Sequence, residues 1–286
     1  MDIPTKNNRK ILVTQALPYA NAPLHLGHIL EAVQTDIWTR FQNLNGNECH
    51  FFCADDTHGT PVMLKANEMG ITPEKLIEDV YQDHKSTYEL YDINFANFYS
   101  THSDENKKYS EFIYKCAKEN KLISKSVVEQ YFDETEKMFL SDRFIKGTCP
   151  KCGAENQHGD NCGVCGASYN VLEIENPVST ISNTKPIKKE SEHIFFDLPA
   201  KRDMLKEFIE KVDIQESIKN KLKEWLGDDL KKWDISRDAP YFGFEIPGED
   251  NKFFYVWVDA PIGYIASISN WANSNQIEME DLWLSL

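Results

Sequence analysis

The sequence predicts an α/β fold in which a parallel sheet is interrupted by an inserted, cysteine-rich lobe. Three observations support this fold. Strand-length apolar runs alternate with helical patterns over residues 1–120, two C-x-x-C units follow in a segment without that alternation, and a strand and a helix are predicted again after residue 250. We therefore expect a sheet domain in two parts, residues 1–120 and 251–286, with an insertion at residues 121–250.

The composition indicates a globular protein without membrane contact. The chain has 286 residues, of which 41% are hydrophobic and 27% charged, and its formal net charge is −15. The first ten residues contain no apolar signal segment, and no run reaches the about 18 apolar residues of a membrane span, so we expect a cytoplasmic protein. The negative charge argues against broad adhesion to nucleic acid, which leaves the lysine-rich stretches 185–189 and 219–232 for such contacts.

The first predicted unit consists of a strand, a turn and a helix. An apolar run at residues 12–17 has the length of a strand, and two prolines and an asparagine then end it. Apolar residues recur every three or four positions from Ile29 to Leu44, which predicts a helix that begins at the letters HLGH, residues 25–28. Gly46 stands where a C-terminal helix cap is expected.

The start of this helix is a candidate site for a phosphate. A helix N-terminus presents unpaired backbone N–H groups and the positive end of the helix dipole. His25 and His28 are three residues apart on the first turn, so both imidazoles face one side and can donate hydrogen bonds to a reacting phosphate. Gly27 has no Cβ, which lets a base or ribose approach the backbone. The competing interpretation is a chance pair of surface histidines, but the position after a first strand favours catalysis.

A second strand and helix add polar residues at the same edge of the sheet. Residues 49–54 are apolar, the letters ADDTHGTP follow, and a helix is predicted from Thr60 to Gly70. Ligands bind beyond the carboxyl ends of strands in open α/β sheets, so Asp55, Asp56 and His58 should lie near the two histidines. The alternative role for Asp56 is to cap or turn the loop.

The remaining pattern predicts elements before, within and after the lobe. Before it, a helix from Thr72 carries His84 as an ordinary helix-face histidine, NFYST predicts a third strand, and residues 104–120 a further helix. Within it we expect antiparallel strands over residues 126–145, a strand at HIFFDL and two helices over residues 198–227. After it, FFYVWV at residues 253–258 predicts a strand, and the following segment to Trp271 predicts a helix.

Two cysteine pairs in the lobe predict a structural zinc site. Each C-x-x-C unit has a glycine beside it, which lets backbone amides turn toward the thiolates, and four thiolates complete a closed tetrahedral zinc site. A redox role is the competing explanation, but two copies so close together, without a βαβ frame, argue against it. His158 lies between the pairs, although four sulfurs already suffice. The predicted ligands are Cys149, Cys152, Cys162 and Cys165.

Several blocks of sequence resemble those of bacterial methionyl-tRNA synthetases, in the same order along the chain. The blocks are ALPYANAPLHLGH, ADDTHGTP, STHSDEN, KGTCPKCG with GDNCGVCGA, SEHIFFDLP, WDISRDAPYFGFEIP and YVWVDAPIGY. HLGH is similar to the first consensus motif of class I aminoacyl-tRNA synthetases. The resemblance implies a Rossmann-type nucleotide-binding domain split by a zinc-binding connective domain. It also implies activation of L-methionine with Mg-ATP and its transfer to tRNA(Met).

The resemblance assigns roles to individual residues. It implies that Asp56 pairs with the substrate ammonium, that Arg237 forms an ion pair with Asp56, and that Trp233 closes over the pocket. The residues implied to bind ATP are Tyr19, His25, Gly27 and His28, of which the two histidines are catalytic. Those implied to bind methionine are Ala16, Leu17, Tyr19, Asp56, Trp233, Arg237, Trp257, Pro261 and Tyr264.

Two features of the family do not occur in these 286 residues. One is the second consensus motif, a lysine-rich K-M-S-K-S loop that holds the triphosphate, and the other is the helical anticodon-binding domain. We therefore expect a catalytic fragment that is monomeric and, by itself, nearly inactive in methionine activation.

Two other functions remain open on the residues alone. Nucleotidylyltransferases also use an H-x-G-H helix start to attack a nucleotide α-phosphate, but they are short and have no four-cysteine insertion of this kind. A non-enzymatic zinc-ribbon module that binds RNA is favoured by the missing second motif and opposed by the intact HLGH and DDTHGTP loops. Only the synthetase interpretation requires a specific amino-acid site.

Overall fold

The computed structural model describes residues 9–227 and 229–279. The chain forms two compact units. The sheet unit contains the residues up to Cys116, Tyr241–Gly248 and the residues from Phe253 onward, and the lobe unit contains Ala117–Pro240 and Glu249–Lys252. The predicted domain bounds stay a prediction. Over the two described ranges, no helix has both the length and the apolar character needed to cross a membrane.

The elements follow the predicted alternation up to the lobe. In chain order these first elements are β1 (Lys10–Thr14), α1 (Leu26–Leu44), β2 (Glu48–Asp55), α2 (Thr60–Met69), α3 (Pro73–Leu90), β3 (Asn97–Ser100) and α4 (Asp104–Glu119). The next are β4 (Ile123–Asp133), β5 (Met138–Phe139), β6 (Ile145–Thr148), β7 (Gln157–His158), β8 (Glu175–Ser179), β9 (Ile187–Phe196), α5 (Arg202–Lys211), α6 (Glu216–Trp225), β10 (Trp233–Asp234) and β11 (Ser236–Asp238). The last are β12 (Lys252–Phe254), α7 (Val256–Asp259) and α8 (Ile262–Ser274).

Three parallel strands in the order β1-β2-β3 form the sheet of the sheet unit. The central strand β2 is buried on both faces, as its apolar run predicts. One face packs against α1 and α3 through a cluster of Ile29, Ala32, Phe51, Cys53, Tyr88, Ile93 and Phe98. The other face packs against α8 through Phe52, Ile268 and Ala272. This core sets the strand ends, so the loops that follow β1, β2 and β3 meet at one edge of the sheet.

One prediction in the sheet unit is corrected. The predicted strand at residues 253–258 stops at Phe254, because the Val256 N–H bonds to the Tyr241 hydroxyl at 3.0 Å and the Ala260 N–H bonds to the Val256 carbonyl at 2.8 Å, which starts a helical turn. The apolar face of α1 is also only partly buried. Ile29 is buried, but Phe41 is 55% exposed and Leu44 is 87% exposed.

The lobe unit is built on antiparallel strands, as predicted for residues 126–145. One sheet has the order β10-β9-β4-β5, and the long pair β4 and β9 is in register from Ile123 opposite Phe196 to Phe132 opposite Ile187. A second sheet, in the order β7-β6-β8, carries the cysteine-rich segment. Helices α5 and α6 follow β9, in the region where two amphipathic helices are predicted.

A buried histidine joins β9 to the WDISRD segment within the lobe unit. His193 is 1% exposed, and its ring nitrogens lie 2.6 Å from Asp234 Oδ2 and 3.1 Å from Asp238 Oδ2. Burial alone would lower the pKa of His193, but the two carboxylates outweigh it and raise the pKa. Burial also opposes ionisation of Asp238, yet hydrogen bonds from His193 and Lys252 lower its pKa to about 2.

The shifted pKa values of His193 and Asp238 predict that the stability of the lobe unit depends on pH. The raised pKa of His193 gives stability that is complete below its ordinary value of 6.5 and is lost as the pH rises through the folded value. The lowered pKa of Asp238 gives stability that is complete above its ordinary 3.8 and is lost as the pH falls toward about 2. We therefore expect His193→Gln to lower the free energy of unfolding by about 1–3 kcal/mol near pH 5, and by less near pH 9.

Thermal unfolding of the two proteins at both pH values measures this difference. Glu190→Gln, which changes an exposed residue of the same strand, is the matched control. An equal destabilisation at both pH values would contradict a charged role for His193.

Candidate active site and metal centre

The two histidines of the HLGH motif cap the start of α1. His25 is the N-cap residue, and its Nδ1 accepts the N–H of Gly27 at 3.1 Å and of His28 at 3.4 Å. His28 returns the contact, since its Nδ1 accepts the His25 N–H at 3.3 Å. The two rings stack with their centroids 3.6 Å apart. With Nδ1 as acceptor, a neutral imidazole carries its proton on Nε2, so both rings can present an Nε2–H donor.

Partial burial and the neighbouring histidines favour the neutral form of His28. Partial burial, followed by the neighbouring His25 and His84, lowers the pKa of His28. A neutral donor stabilises negative charge on phosphate without a proton transfer, and the helix N-terminus adds its dipole in the same direction. The geometry thus matches the predicted phosphate site, although the catalytic role stays a prediction.

Gly27 serves the histidine pair in a way that the sequence does not indicate. A Cβ on Gly27 would lie 2.9 Å from His25 Cε1 and 3.0 Å from its Nδ1. The His25 ring therefore occupies the space that a side chain would need, and only glycine lets this ring cap the helix. The predicted approach of a base or ribose at Gly27 stays a prediction.

Asp56 lies beside Tyr19, where the loops after β1 and β2 continue the parallel pairing. The Ala20 N–H bonds to the Asp56 carbonyl and the Asp56 N–H to the Pro18 carbonyl, each at 2.8 Å. The Oδ1 atom of Asp56 is buried and has no hydrogen-bond partner. Burial, Asp259 and Asp55 together raise the pKa of Asp56 to about 8. A buried oxygen without a donor does not cap a turn; it is the kind of group that a bound cation satisfies.

His84 is not the ordinary helix-face histidine that the sequence predicts. It is fully buried, its Nδ1 lies 2.7 Å from Asp55 Oδ1, and its Nε2 lies 2.9 Å from the Ala22 carbonyl oxygen. Burial opposes the charge on His84, but the hydrogen bond and negative charge of Asp55, together with the hydrogen bond to the Ala22 carbonyl, outweigh it and raise the pKa. The helical periodicity places His84 on α3 but does not show that this part of α3 faces the end of β2.

A hydrogen-bonded chain of Asp259, His58 and His102, which we call the histidine relay, lies at the same edge of the sheet. His58 is fully buried, and its Nδ1 bonds to Asp259 Oδ2, while its Nε2 lies 3.0 Å from His102 Nδ1. The rings of Phe242 and Phe244 contact both imidazoles, at centroid distances of 4.6–5.8 Å. The sequence pattern places His58 at the sheet edge but indicates no role for His102 or for the Asp259 carboxylate. The available signal was position, since STHSD follows β3 as DTHGT follows β2.

The structure brings several of the predicted methionine-binding residues together in the sheet unit. The Tyr19 hydroxyl donates to the His58 carbonyl at 2.7 Å, and half-buried Tyr264 makes a hydrogen bond with the Leu17 backbone. Leu17 also packs on the start of α8, where a Cβ on Gly263 would lie 3.1 Å from Leu17 Cδ1. The Ala16 N–H donates to Glu31 Oε1 at 2.7 Å, an anchor that sequence reasoning missed. Pro261 is the exposed N-cap of α8, and Trp257 is 65% exposed.

The two remaining predicted residues belong to the lobe unit. Trp233 lies on β10 and is 37% exposed. Arg237 donates from Nη1 to the Ser236 carbonyl at 2.6 Å, and the same atom lies 3.5 Å from Asp234 Oδ2. The predicted ion pair of Arg237 with Asp56 stays a prediction.

Four cysteines in the lobe unit form a metal-ligand cluster. The Sγ atoms of Cys149, Cys152, Cys162 and Cys165 all lie within 4.8 Å of one another, with two of the distances at 3.9 and 3.7 Å. Thiolates at about 2.3 Å from a tetrahedral zinc ion are roughly 3.8 Å apart, so the cluster has the right size.

The two halves of the cluster have the same backbone turn. The N–H groups of Gly153 and Gly166 bond to the carbonyls of the first cysteine of each pair, at 3.0 and 2.9 Å, and both glycines have φ near 70°, at 73° and 72°. Left-handed backbone favours glycine, which explains both positions. A backbone N–H also points at a sulfur in each half, from Lys151 to Cys149 and from Cys165 to Cys162, both at 3.4 Å. The residues present therefore fit a zinc ion with four sulfur ligands.

Comparisons with known proteins agree with this fold. The structure is similar to two structures of Mycobacterium tuberculosis methionyl-tRNA synthetase bound to methionyl-adenylate, with TM-scores of 0.68 and 0.69 and sequence identities of 20% and 21%. Each match covers 91% of this chain and 47% of the other, so the chain spans about half the length of these proteins. The sequence model of the family described as tRNA synthetases class I (M) matches residues 11–285. The chain therefore belongs to the class I tRNA synthetases of group M, and its sheet and inserted lobe have the class I synthetase fold.

Proposed function

We propose that this chain is the catalytic part of a methionine–tRNA ligase, which forms methionyl-adenylate from L-methionine and Mg-ATP and then transfers methionine to tRNA(Met). The observation that carries this proposal is the buried, partnerless Oδ1 of Asp56, beside Tyr19 and at the same sheet edge as the two HLGH histidines. An amino acid brings the ammonium group that this oxygen lacks. The methionyl-adenylate in both similar structures supports the same chemistry.

In the proposed first step, the protein positions reactants and needs no nucleophile of its own. A methionine carboxylate oxygen attacks the α-phosphorus of ATP, the bond from that phosphorus to the bridging oxygen breaks, and pyrophosphate leaves with the electron pair. His25 and His28 donate from Nε2 to phosphate oxygens whose charge grows during the step. Charge on the departing pyrophosphate needs further cations, which the 286 residues do not supply in the form of the K-M-S-K-S motif. We therefore expect slow activation by this chain alone.

We propose that the methionine side chain lies among Leu17, Tyr19 and Tyr264. A thioether sulfur against aromatic rings gains about 0.3–1.5 kcal/mol, and an unbranched, flexible side chain adapts to an irregular apolar gap. Ala16, Pro261, Trp257, Trp233 and Arg237 complete the proposed set. We further propose that the protein is a cytoplasmic monomer with one structural zinc ion held by the four cysteines.

A nucleotidylyltransferase would share the histidine pair but would have no use for a buried, partnerless Asp56 oxygen beside Tyr19. A zinc-ribbon module that binds RNA would need neither group. The amino-acid site therefore separates the three functions.

Calorimetry with single ligands is the test. We expect L-methionine to bind more tightly than L-leucine, by the about 1–3 kcal/mol that one well-filled apolar group contributes. Asp56→Ala should weaken methionine binding by a larger factor than ATP binding, because only the amino acid carries an ammonium group. Leucine binding as tightly as methionine would contradict the assignment to methionine. Absence of any amino-acid binding would leave the nucleotidylyltransferase or the RNA-binding function.

A further inference from the structure

We infer that Asp259 is a second carboxylate of the amino-acid site, which binds the substrate ammonium together with Asp56, and that His58 and His102 position it. This inference rests on the proposed function, because it concerns the ammonium group of the same amino acid. The sequence pattern around Asp259 does not indicate this role. The role is inferred only from the geometry of the sheet unit.

The Asp259 carboxylate has one hydrogen-bonded oxygen and one oxygen without a hydrogen-bond partner. The side chain is 1% exposed. Its Oδ2 bonds to His58 Nδ1, whereas its Oδ1 is buried and has no hydrogen-bond partner. Leaving a buried carboxylate oxygen without a donor is costly, and such exceptions call for a ligand, a water or an ion. A carboxylate that served only to hold His58 would not need a second, empty acceptor.

Asp259 and Asp56 share the same local environment. Asp259 is close enough to raise the pKa of Asp56, second only to burial among the causes. Each of these two residues has one buried, partnerless oxygen. Two like charges in one site are unfavourable without a cation, and a single ammonium relieves both at once. An ammonium group also has three N–H donors, so it has enough for two carboxylates and one further acceptor.

The surroundings of Asp259 prevent it from turning away from this site. His58 donates Nδ1–H to Asp259 in the tautomer whose Nε2 accepts from His102 Nδ1, 3.0 Å away. Phe242 and Phe244 contact both rings and hold their planes. The backbone is fixed as well, because Asn106 Nδ2 donates to the Asp259 carbonyl at 3.2 Å and to the Thr101 carbonyl at 2.7 Å. His58 and His102 are therefore positioning residues, which act on the ligand through Asp259.

The test compares L-methionine with 4-(methylthio)butanoate, which has the same side chain and carboxylate but no ammonium group. The ratio of their dissociation constants, measured by calorimetry, reports the contribution of the ammonium group. We expect Asp56→Asn and Asp259→Asn each to shrink this ratio at least tenfold, through weaker methionine binding with little change for the analogue. Asp104→Asn, an exposed acid on α4, is the matched control and should leave the ratio unchanged.

The outcomes separate the inference from the proposed function. If Asp56→Asn shrinks the ratio and a folded Asp259→Asn does not, the inference is overturned and the proposed function stands. If the wild-type protein shows no preference for the ammonium-bearing ligand, both fail.

A second pair of variants leaves the carboxylate in place, in case Asp259→Asn does not fold. His58→Leu removes the donor to Asp259 Oδ2 and should shrink the ratio, whereas His58→Gln keeps an N–H donor and should retain part of it. An unchanged ratio in a folded His58→Leu protein would overturn the positioning role and, with it, the inference.

Discussion

Replacing Cys152 by serine is expected to release zinc from the lobe unit and to unfold the cysteine-rich segment. The sulfur atoms are spaced as a tetrahedral zinc ion requires, and within residues 149–174, all of them described, the buried large apolar side chains are those of Tyr169 and Ile174. Structural zinc in small closed sites contributes apparent binding energies of about 10–16 kcal/mol, most of which appears as folding energy. Serine replaces a thiolate by a hydroxyl, which is a far weaker zinc ligand at neutral pH.

Metal analysis after dialysis measures the first effect, and limited proteolysis between β6 and β8 measures the second. The wild-type protein should hold about one zinc ion per chain and the variant almost none. Cys116→Ser and His158→Ala are the matched controls, since neither residue belongs to the cluster, and both should keep the metal. A wild-type protein that folds without metal and resists proteolysis over this segment would contradict a structural role for zinc.

The sequence predicts the parts of the molecule whose causes are local. The start of α1 at HLGH depends on one change of period and on a capping residue, both within a few positions, and the structure confirms it with His25 as N-cap. The cysteine cluster also has local causes, because each C-x-x-C unit contains two of the ligands and is followed by the glycine that its turn requires. Patterns of this kind need no knowledge of distant parts of the chain.

The sequence does not predict groups that depend on contacts between distant segments. The histidine relay joins residues from the loops after β2 and β3 to Asp259, which lies 201 positions after His58, and apolar rings from a further segment pack against it. His84 is buried because α3 turns it toward Asp55, which helical periodicity alone does not reveal. The predicted strand FFYVWV ends early because a distant hydroxyl, that of Tyr241, takes the Val256 N–H.

The same distinction explains why the sequence indicates only part of the proposed amino-acid site. Asp56 follows a strand directly, so its place at the sheet edge could be inferred from position. The burial of Asp56 next to Asp55 and Asp259, with one of its oxygens left without a donor, could not be inferred from the sequence. Family resemblance supplied residue names for the pocket, whereas the structure supplies the partnerless oxygens.

Replacing His28 by asparagine is expected to slow methionine-dependent exchange between ATP and pyrophosphate by about 10²–10³-fold, with α1 intact. Asparagine keeps an acceptor where His28 Nδ1 now caps the His25 N–H, but it places no donor where Nε2 lies. Losing one preorganised donor to a developing charge costs about 2.7–4 kcal/mol of barrier, which gives the expected factor. His28→Gln puts an amide N–H near the position of Nε2 and should recover part of the rate. Leu30→Ala, two residues along the same helix and 60% exposed, is the matched control.

The rate is best measured in a protein in which a segment carrying the K-M-S-K-S motif follows these 286 residues, because that segment supplies lysines for the departing pyrophosphate. We expect the 286-residue chain alone to exchange several orders of magnitude more slowly than that longer protein, since a whole set of charge-stabilising donors is missing. Circular dichroism and ATP binding by the 286-residue variants separate a loss of donors from a loss of fold. Equal exchange rates for the two lengths, or a folded His28→Asn protein with the wild-type rate, would show that these neutral donors do not stabilise the transition state.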